Sequence, residues 1–467
     1  MRGTSVGVLR GLGAAMLAVL FLLTVAPRPV AAGGDVPVCA QPDVRVNSDT
    51  GVPLWQWEPS IALGDDGAVN ALWTDPRDEP TGANSAYFAR STDGGKTWSD
   101  PDVRVNPFSP AHQGGPRIVA GPEGMLYAAW RGGTSRTIDV WVAGSLDGGA
   151  TWSAPSKVND VSGFVQVSQS YGPSIAMDLV GTLYVAWEDW RNSLPDNIDP
   201  VIGNPDIYVA RSTDGGVTWG RNVRVNDDPG TAEQRGVPAL AVDPGGVVYV
   251  AWEDHRSDPQ PPDVYLARSE DGGLTWSPNV RVNDVVSGWQ SDPAIAADSS
   301  GVNAAWYDAR NGQGDVYFAR SGDGGDTWAG SVRLNSHDGN GAGAVPAISL
   351  WSGGVFVAWQ DGGRGVVLTW STDRGQTWAP DAAVSSGNAT QTEPSLAVGP
   401  PGIAYLTWVD ERNGDTDIYS TSCRVQMSSA VALAAIHPPV PWPGVIALTV
   451  LPIPIAFGVA IHRRRPS

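Results

Sequence analysis

The sequence predicts an all-β protein, a ring of seven four-stranded antiparallel sheets in the arrangement of a β-propeller, and three observations carry the prediction. The 467 residues include 57 Gly, 38 Pro and 21 Trp while only 17% are charged, a balance of turn formers and aromatics that means many short strands joined by tight turns. A Ser-x-Asp-x-Gly-x-Thr-Trp box recurs six times, at 91–98, 145–152, 212–219, 269–276, 321–328 and 371–378. Around it a set of four strand patterns is written seven times, and sheets repeated radially cover one another's faces while ring closure protects their edges.

In chain order, Arg2 and Arg10 precede an apolar run at 11–26, which the small residues Val30, Ala31 and Ala32 follow. Residues 1–32 therefore read as a secretory signal. The repeats fill 33–426. Each unit opens on a Pro-led apolar strand A (Pro59, Pro116, Pro173, Pro238, Pro293, Pro346, Pro394) and continues with a strand B ending in Trp (Trp73, Trp130, Trp187, Trp252, Trp306, Trp359, Trp408). An aromatic strand C leads into the box, and a Val-Arg-Val-Asn-like strand D follows it. One D strand, at Val44, precedes the first A, and none follows the last C. The N-terminal strand is thus expected to complete the last blade. Cys39 and Cys423 stand at the offsets of the absent seventh box, so in a secreted chain with two Cys a Cys39–Cys423 disulfide is expected to clasp the ring.

After the ring, 427–443 is a Pro-rich linker, 444–461 is uncharged, and 462–467 holds three Arg. These read as a membrane-spanning helix, or a removable sorting tail, with a basic cytoplasmic end and the propeller outside the cell. Arg2, Arg10, Arg28, Arg463, Arg464 and Arg465 lie in these ends, which leaves the body 24 basic against 49 acidic residues. Such a surface repels phosphate backbones and excludes nucleic acid as a partner. Neither a cofactor motif nor metal-ligand spacing of His is present.

The Ser-x-Asp-x-Gly-x-Thr-Trp boxes resemble the Asp boxes, or bacterial neuraminidase repeats, of the sialidase-like propellers. That resemblance implies that the boxes are rim hairpins away from the site, which makes Asp93, Asp147, Asp214, Asp271, Asp323 and Asp373 structural. It also implies a six-bladed ring as the alternative to seven, and a binding funnel on the face formed by the D–A and B–C connections. On that face the sequence places Trp55, Gln56, Trp57, Glu58, Gln113, Gln169, Trp190, Trp289, Gln290, Asp292, Gln391 and Glu393. Amides for hydroxyls and indoles for apolar ring faces suit a sugar. A recurring Trp-x-Asp-x-Arg pattern after strand B reads as structural ion pairs.

Blade 2 departs from the repeat, with Arg117 in strand A and Arg131 where other blades approach their Asp. Departures inside a repeat are where function is sought. Arg117 and Ile118 resemble part of a sialidase Arg motif, and Tyr171 is the Tyr that the strands leave unused. Catalytic candidates are therefore Arg117, Arg131 and Tyr171. The expected function is recognition of glycans or cell-surface ligands. An exo-α-sialidase or other glycoside hydrolase is the enzymatic alternative, and a surface scaffold the third.

Overall fold

The computed structural model describes residues 37–40, 42–49, 55–77, 84–106, 112–134, 137–162, 165, 172–192, 205–228, 234–257, 260–336 and 345–425. The residues 1–32 and 444–461, expected as signal and span, lie outside them. Among the described residues no helix is long and apolar enough to cross a membrane.

The chain forms seven antiparallel sheets in sequence order. Blade 1 is Trp57–Leu63, Val69–Asp75, Ser85–Ser91 and Val103–Arg104. Blade 2 is His112–Ala120, Leu126–Thr134, Thr137–Ser145 and Ser156–Lys157. The A, B and C strands of blade 3 are Ser174–Met177, Leu183–Asp189 and Asp206–Ser212. Those of blade 4 are Gln234–Val242, Val248–Asp254 and Asp263–Ser269, and those of blade 5 Gln290–Asp298, Gly301–Asp308 and Asp315–Ser321. Blade 6 has Ala347–Trp351, Gly354–Asp361 and Gly365–Ser371, and blade 7 Gln391–Gly399, Ile403–Asp410 and Asp417–Arg424. The count is seven, and the six-bladed alternative falls.

Strand B is apolar on both faces because a neighbouring blade covers each side. The Trp that ends it is buried and packs on the preceding blade. Trp130 lies with Leu72 and Phe88 of blade 1, Trp187 with Val140 and Val142 of blade 2, and Trp73 closes the circle on Val409 and Ile418 of blade 7. The box glycines fit the same interface. Gly149 has φ 89° and a Cβ on it would stand 2.0 Å from Phe88, while one on Gly375 would stand 2.3 Å from Phe318. Only glycine permits both that backbone and that approach.

Two N-terminal strands, Val44–Arg45 and Val38–Cys39, pair with the last C strand. The expectation of one such strand is therefore exceeded by a second short one. Cys39 sits opposite Cys423 in register and is bonded to it. Asp43 adds to the closure by accepting from Ser386 and from Arg412.

Candidate functional site

Antiparallel order puts the D–A and B–C connections on one face of the ring and the A–B turns and boxes on the other. The polar bonds that close each box turn are local. In the box of blade 2, Asp147 accepts from Ser145 Oγ at 2.8 Å, Thr151 N–H at 2.9 Å and Thr151 Oγ1 at 2.6 Å, and Gly149 N–H reaches Ser145 Oγ at 2.8 Å. Bonds to the charged form hold the carboxyls down. Thr hydroxyl and Thr N–H, in that order, bring Asp147, Asp214 and Asp271 to about 2. The same pair, N–H first, does so for Asp93 at about 2. Asp323 is lowered chiefly by Ser321, and Asp373 is lowered against the opposing effect of its burial. With both carboxylate oxygens bonded within the box, these aspartates serve the hairpin.

The opposite face is laced by the Trp-x-Asp-x-Arg pattern. In blade 5, buried Asp308 accepts from Trp306 Nε1 at 2.9 Å and from Arg310 through N at 2.9 Å, Nε at 2.9 Å and Nη2 at 2.6 Å. Arg310 then lies 4.0 Å from the centre of the Tyr317 ring and reaches back to Asp284, beyond the D strand of blade 4, at 2.9 Å. Blades 1, 3, 4 and 7 repeat the arrangement with Arg77, Arg191, Arg256 and Arg412 over Tyr87, Tyr208, Tyr265 and Tyr419. These are latches between blades.

Four of the amides expected to ring the funnel turn inward. Gln56, Gln113, Gln290 and Gln391 are buried. Gln56 donates to Asp49, Gln290 to the Ser287 carbonyl, and Gln391 to Asp410 and the Ser386 carbonyl. In blades 5 and 7 the amide that opens strand A turns inward onto the latch aspartate, Asp308 for Gln290 and Asp410 for Gln391, a partner that water would otherwise supply. Gln113 does more: blade 2 has Gly132 where the latch Asp belongs, and Gln113 Oε1 takes the Trp130 indole N–H at 2.6 Å instead. A Cβ on Gly132 would meet that oxygen at 2.1 Å. Trp57 is half-buried against the blade 7–1 core.

Strand A begins earlier than its Pro in most blades and carries a bulge there, between Trp57 and Ser60, Gly114 and Arg117, Ser291 and Ala294, and Thr392 and Ser395. The residue before Pro takes a left-handed backbone: Gly115 at φ 62°, but also Glu58 at 57°, Asp292 at 50° and Glu393 at 53°. A non-glycine residue there costs on the order of 1–3 kcal/mol, so three carboxylates in this register need a reason.

Blades 7, 1 and 2 supply it. Glu393 Oε2 accepts the Glu58 N–H at 2.6 Å, and Glu58 Oε2 accepts the Gly115 N–H at 2.6 Å and Thr74 Oγ1 at 2.8 Å. Each carboxylate thus caps the strained backbone of the next blade. Arg131 Nη2 stands 3.9 Å from Glu58 Oε1, and burial lowers its pKa, with Glu58 opposing and Arg117 assisting that shift. Arg117 is half-buried and bonds the Pro116 carbonyl at 3.0 Å. Among the described residues it has no carboxylate within ion-pair distance, although Glu393 and Arg131 both feel its charge. Glu393 is open to solvent but enclosed by surrounding protein. That enclosure raises its pKa, the Glu58 N–H opposing and the Glu58 charge adding to the rise. Four of the sequence candidates, Glu58, Arg117, Arg131 and Glu393, are therefore one cluster.

Elsewhere on the face, Asp292 accepts from Ser291 Oγ at 2.8 Å and burial raises its pKa. Tyr307 pairs in register with Ser291, and its pKa is raised by burial and then by Asp292. The signal that would have found it is position: it is the variable residue between the constant Trp and Asp, the place Arg131 holds in blade 2. Trp55 and Trp289 are 66% and 46% exposed. Trp289 meets the edge of His255, whose Nε2 is 2.7 Å from Glu253, and half-buried Trp190 donates to Glu188 at 3.0 Å. Tyr171 and Gln169 lie outside the described residues. Among those described, no group of three His, Cys, Asp or Glu side chains is arranged to hold a metal ion.

Comparison with known proteins agrees with this architecture. Residues 181–391 match the BNR repeat-like domain and 89–100 the BNR/Asp-box repeat. A xyloglucanase of a Paenibacillus species is 29% identical over 171 residues, 32% of this chain and 16% of that protein. One from Acetivibrio thermocellus is 29% identical over 186 residues, 37% of this chain and 19% of the relative. The chain thus spans under a fifth of the length of these relatives. Among solved structures, an ulvan lyase superposes with a TM-score of 0.56 at 14% identity, over 81% of this chain and 95% of its own. A Dyadobacter fermentans protein of unknown function superposes at 0.52 and 13% identity, over 85% of this chain and 100% of its own. These likenesses concern the fold. Residues 181–391 and 89–100 thus carry BNR and Asp-box repeats, set in a closed ring of seven blades with six boxes.

Proposed function

We propose that the chain is an extracellular carbohydrate-recognising propeller, tethered to a membrane by residues 444–461, which holds an acidic sugar on its funnel face between blades 7, 1 and 2. The observation that carries this reading is Arg117, a half-buried guanidinium with no ion-pair carboxylate among the described residues of a chain with 49 acidic residues. Beside it, Arg131 adds positive charge, and exposed Trp55 offers an apolar surface of the kind sugar rings stack on. The named activity of the xyloglucanase relatives supports a carbohydrate as the ligand class. Hydrolysis is the second reading, and Glu393 favours it: an open carboxyl with a raised pKa next to Arg117 has the properties of a proton donor.

The test is a glycan-binding screen of the purified full chain in detergent, with neutral and carboxylated glycans, beside Arg117→Ala. Binding confined to carboxylated glycans and lost in the variant supports the reading, and binding indifferent to Arg117 sinks it. Release of fluorophore from a sialic-acid glycoside, abolished by Glu393→Gln, would convert the binder into an enzyme.

A further inference from the structure

The last C strand runs from the funnel face to the box face, and Val425 ends there with its N–H on the Gly402 carbonyl at 3.1 Å. Gly402 closes the A–B turn of blade 7. The chain therefore leaves the ring on the box side, and the linker 427–443 extends at most ~50 Å at the rise of an extended Pro-rich chain. An anchor at 444–461 would therefore tether the ring from its box side.

The same face carries an apolar band. Leu146, Leu179, Val180, Val217 and Leu274 are each more than half exposed. They occupy boxes and an A–B turn of three consecutive blades, 2 to 4. At the corresponding box positions blade 1 has Thr92 and Lys96, blade 5 Gly322 and Asp326, and blade 6 Thr372 and Gln376. Turn chemistry is satisfied by polar residues or glycine there, so it does not explain the apolar ones. Single exposed apolar side chains, such as Val38 at the box-side end of blade 7, are ordinary, whereas five grouped in three consecutive blades of one face mark a contact.

We infer that the box face of blades 2–4 rests on the lipid bilayer that the C-terminal segment enters, turning the funnel away from the membrane. The inference rests on that segment being an anchor. Apolar side chains at the tips of rigid hairpins enter the interfacial region while the ring stays in water. The box aspartates remain ionised at neutral pH, so the face prefers an uncharged bilayer to an anionic one.

The experiment uses the full chain in phosphatidylcholine vesicles. A fluorophore is placed by Val217→Cys on blade 3, by Asp326→Cys on blade 5, or by Trp55→Cys on the funnel face, and is quenched by a lipid-borne nitroxide. Quenching at 217 is expected to exceed that at 326 and 55 several-fold. It should fall when Leu146 and Val180 are both changed to Asp, with co-flotation of protein and vesicles unchanged, and fall again when phosphatidylserine is added. Equal quenching at 217 and 55, or quenching at 217 indifferent to the two Asp substitutions, overturns the inference and leaves the anchor standing. A chain that does not float with vesicles overturns both. Near-UV circular dichroism of the buried Trp shows whether each variant is folded.

Discussion

A carboxylate in a left-handed backbone before Pro serves either the fold or the ligand, and Glu58 and Asp292 differ in this. Glu58 spends its carboxylate on Gly115, Thr74 and Arg131. Asp292 has only the neighbouring Ser291 hydroxyl among its described hydrogen bonds, and its burial disfavours the charge. Asp292→Gly is therefore expected to raise stability by about 1 kcal/mol, from the relieved φ alone, as read from denaturant unfolding. A loss would show that the carboxylate has a structural partner. The latch behaves in the opposite way. Asp308→Ala strands the Trp306 indole and the Arg310 guanidinium and is expected to cost ~3–5 kcal/mol, the range for breaking a buried charge pair. Legibility follows the same division. The latch was legible because it repeats, and the Arg117–Arg131 pair because blade 2 breaks the repeat. The direction in which the glutamines point was not, since an amide next to an unseen partner and an amide facing water look the same in sequence.

The Asp-box hairpin and the strand A bulge differ in how their sequences encode them. The Ser, Asp, Gly and Thr bonds that close a box lie within eight residues, so its turn could be read directly and the six copies agree with one another. The bulge depends on the neighbouring blade, through contacts such as Glu393 to the Glu58 N–H. From sequence, Pro looked like the start of strand A, whereas in five blades the strand begins two to four residues earlier. The box also sets an acid limit. Asp147, Asp214 and Asp271 titrate at about 2 when folded, below the ordinary 3.8. A lowered folded pKa gives stability that is fully present above the unfolded value and is lost as pH falls through the folded one. Unfolding midpoints should thus hold from pH 7 to about 4.5 and fall between about 4 and 2. Removing a box carboxyl by Asp147→Asn should flatten that fall. A fall of unchanged size would place the acid sensitivity elsewhere.

For the whole molecule the decisive quantity is the number of interfaces. Each blade presents a Trp to the one before it, and the last interface, between blades 7 and 1, is built like the others from Trp73, Val409 and Ile418. Seven was legible because the repeat count and the displaced D strand agree. What the repeat does not convey by itself is how far each apolar turn residue, such as Leu146 or Val217, stands out into solvent. Closure has a covalent part that can be removed alone. Replacing Cys39 and Cys423 by Ala opens a loop spanning 384 residues and is expected to lower stability by at most about 5 kcal/mol, with the pairing at Val44–Arg45 still holding the ring. A double variant as stable as the parent would mean that this pairing alone suffices. The clasp also orders events in time. Cys39 leaves the ribosome long before Cys423, and its partner strand is the last part of the ring to be made. Until then the nascent chain is an open arc with its first strand waiting, so oxidation of this one pair dates the moment at which the whole circuit has been synthesised and joined.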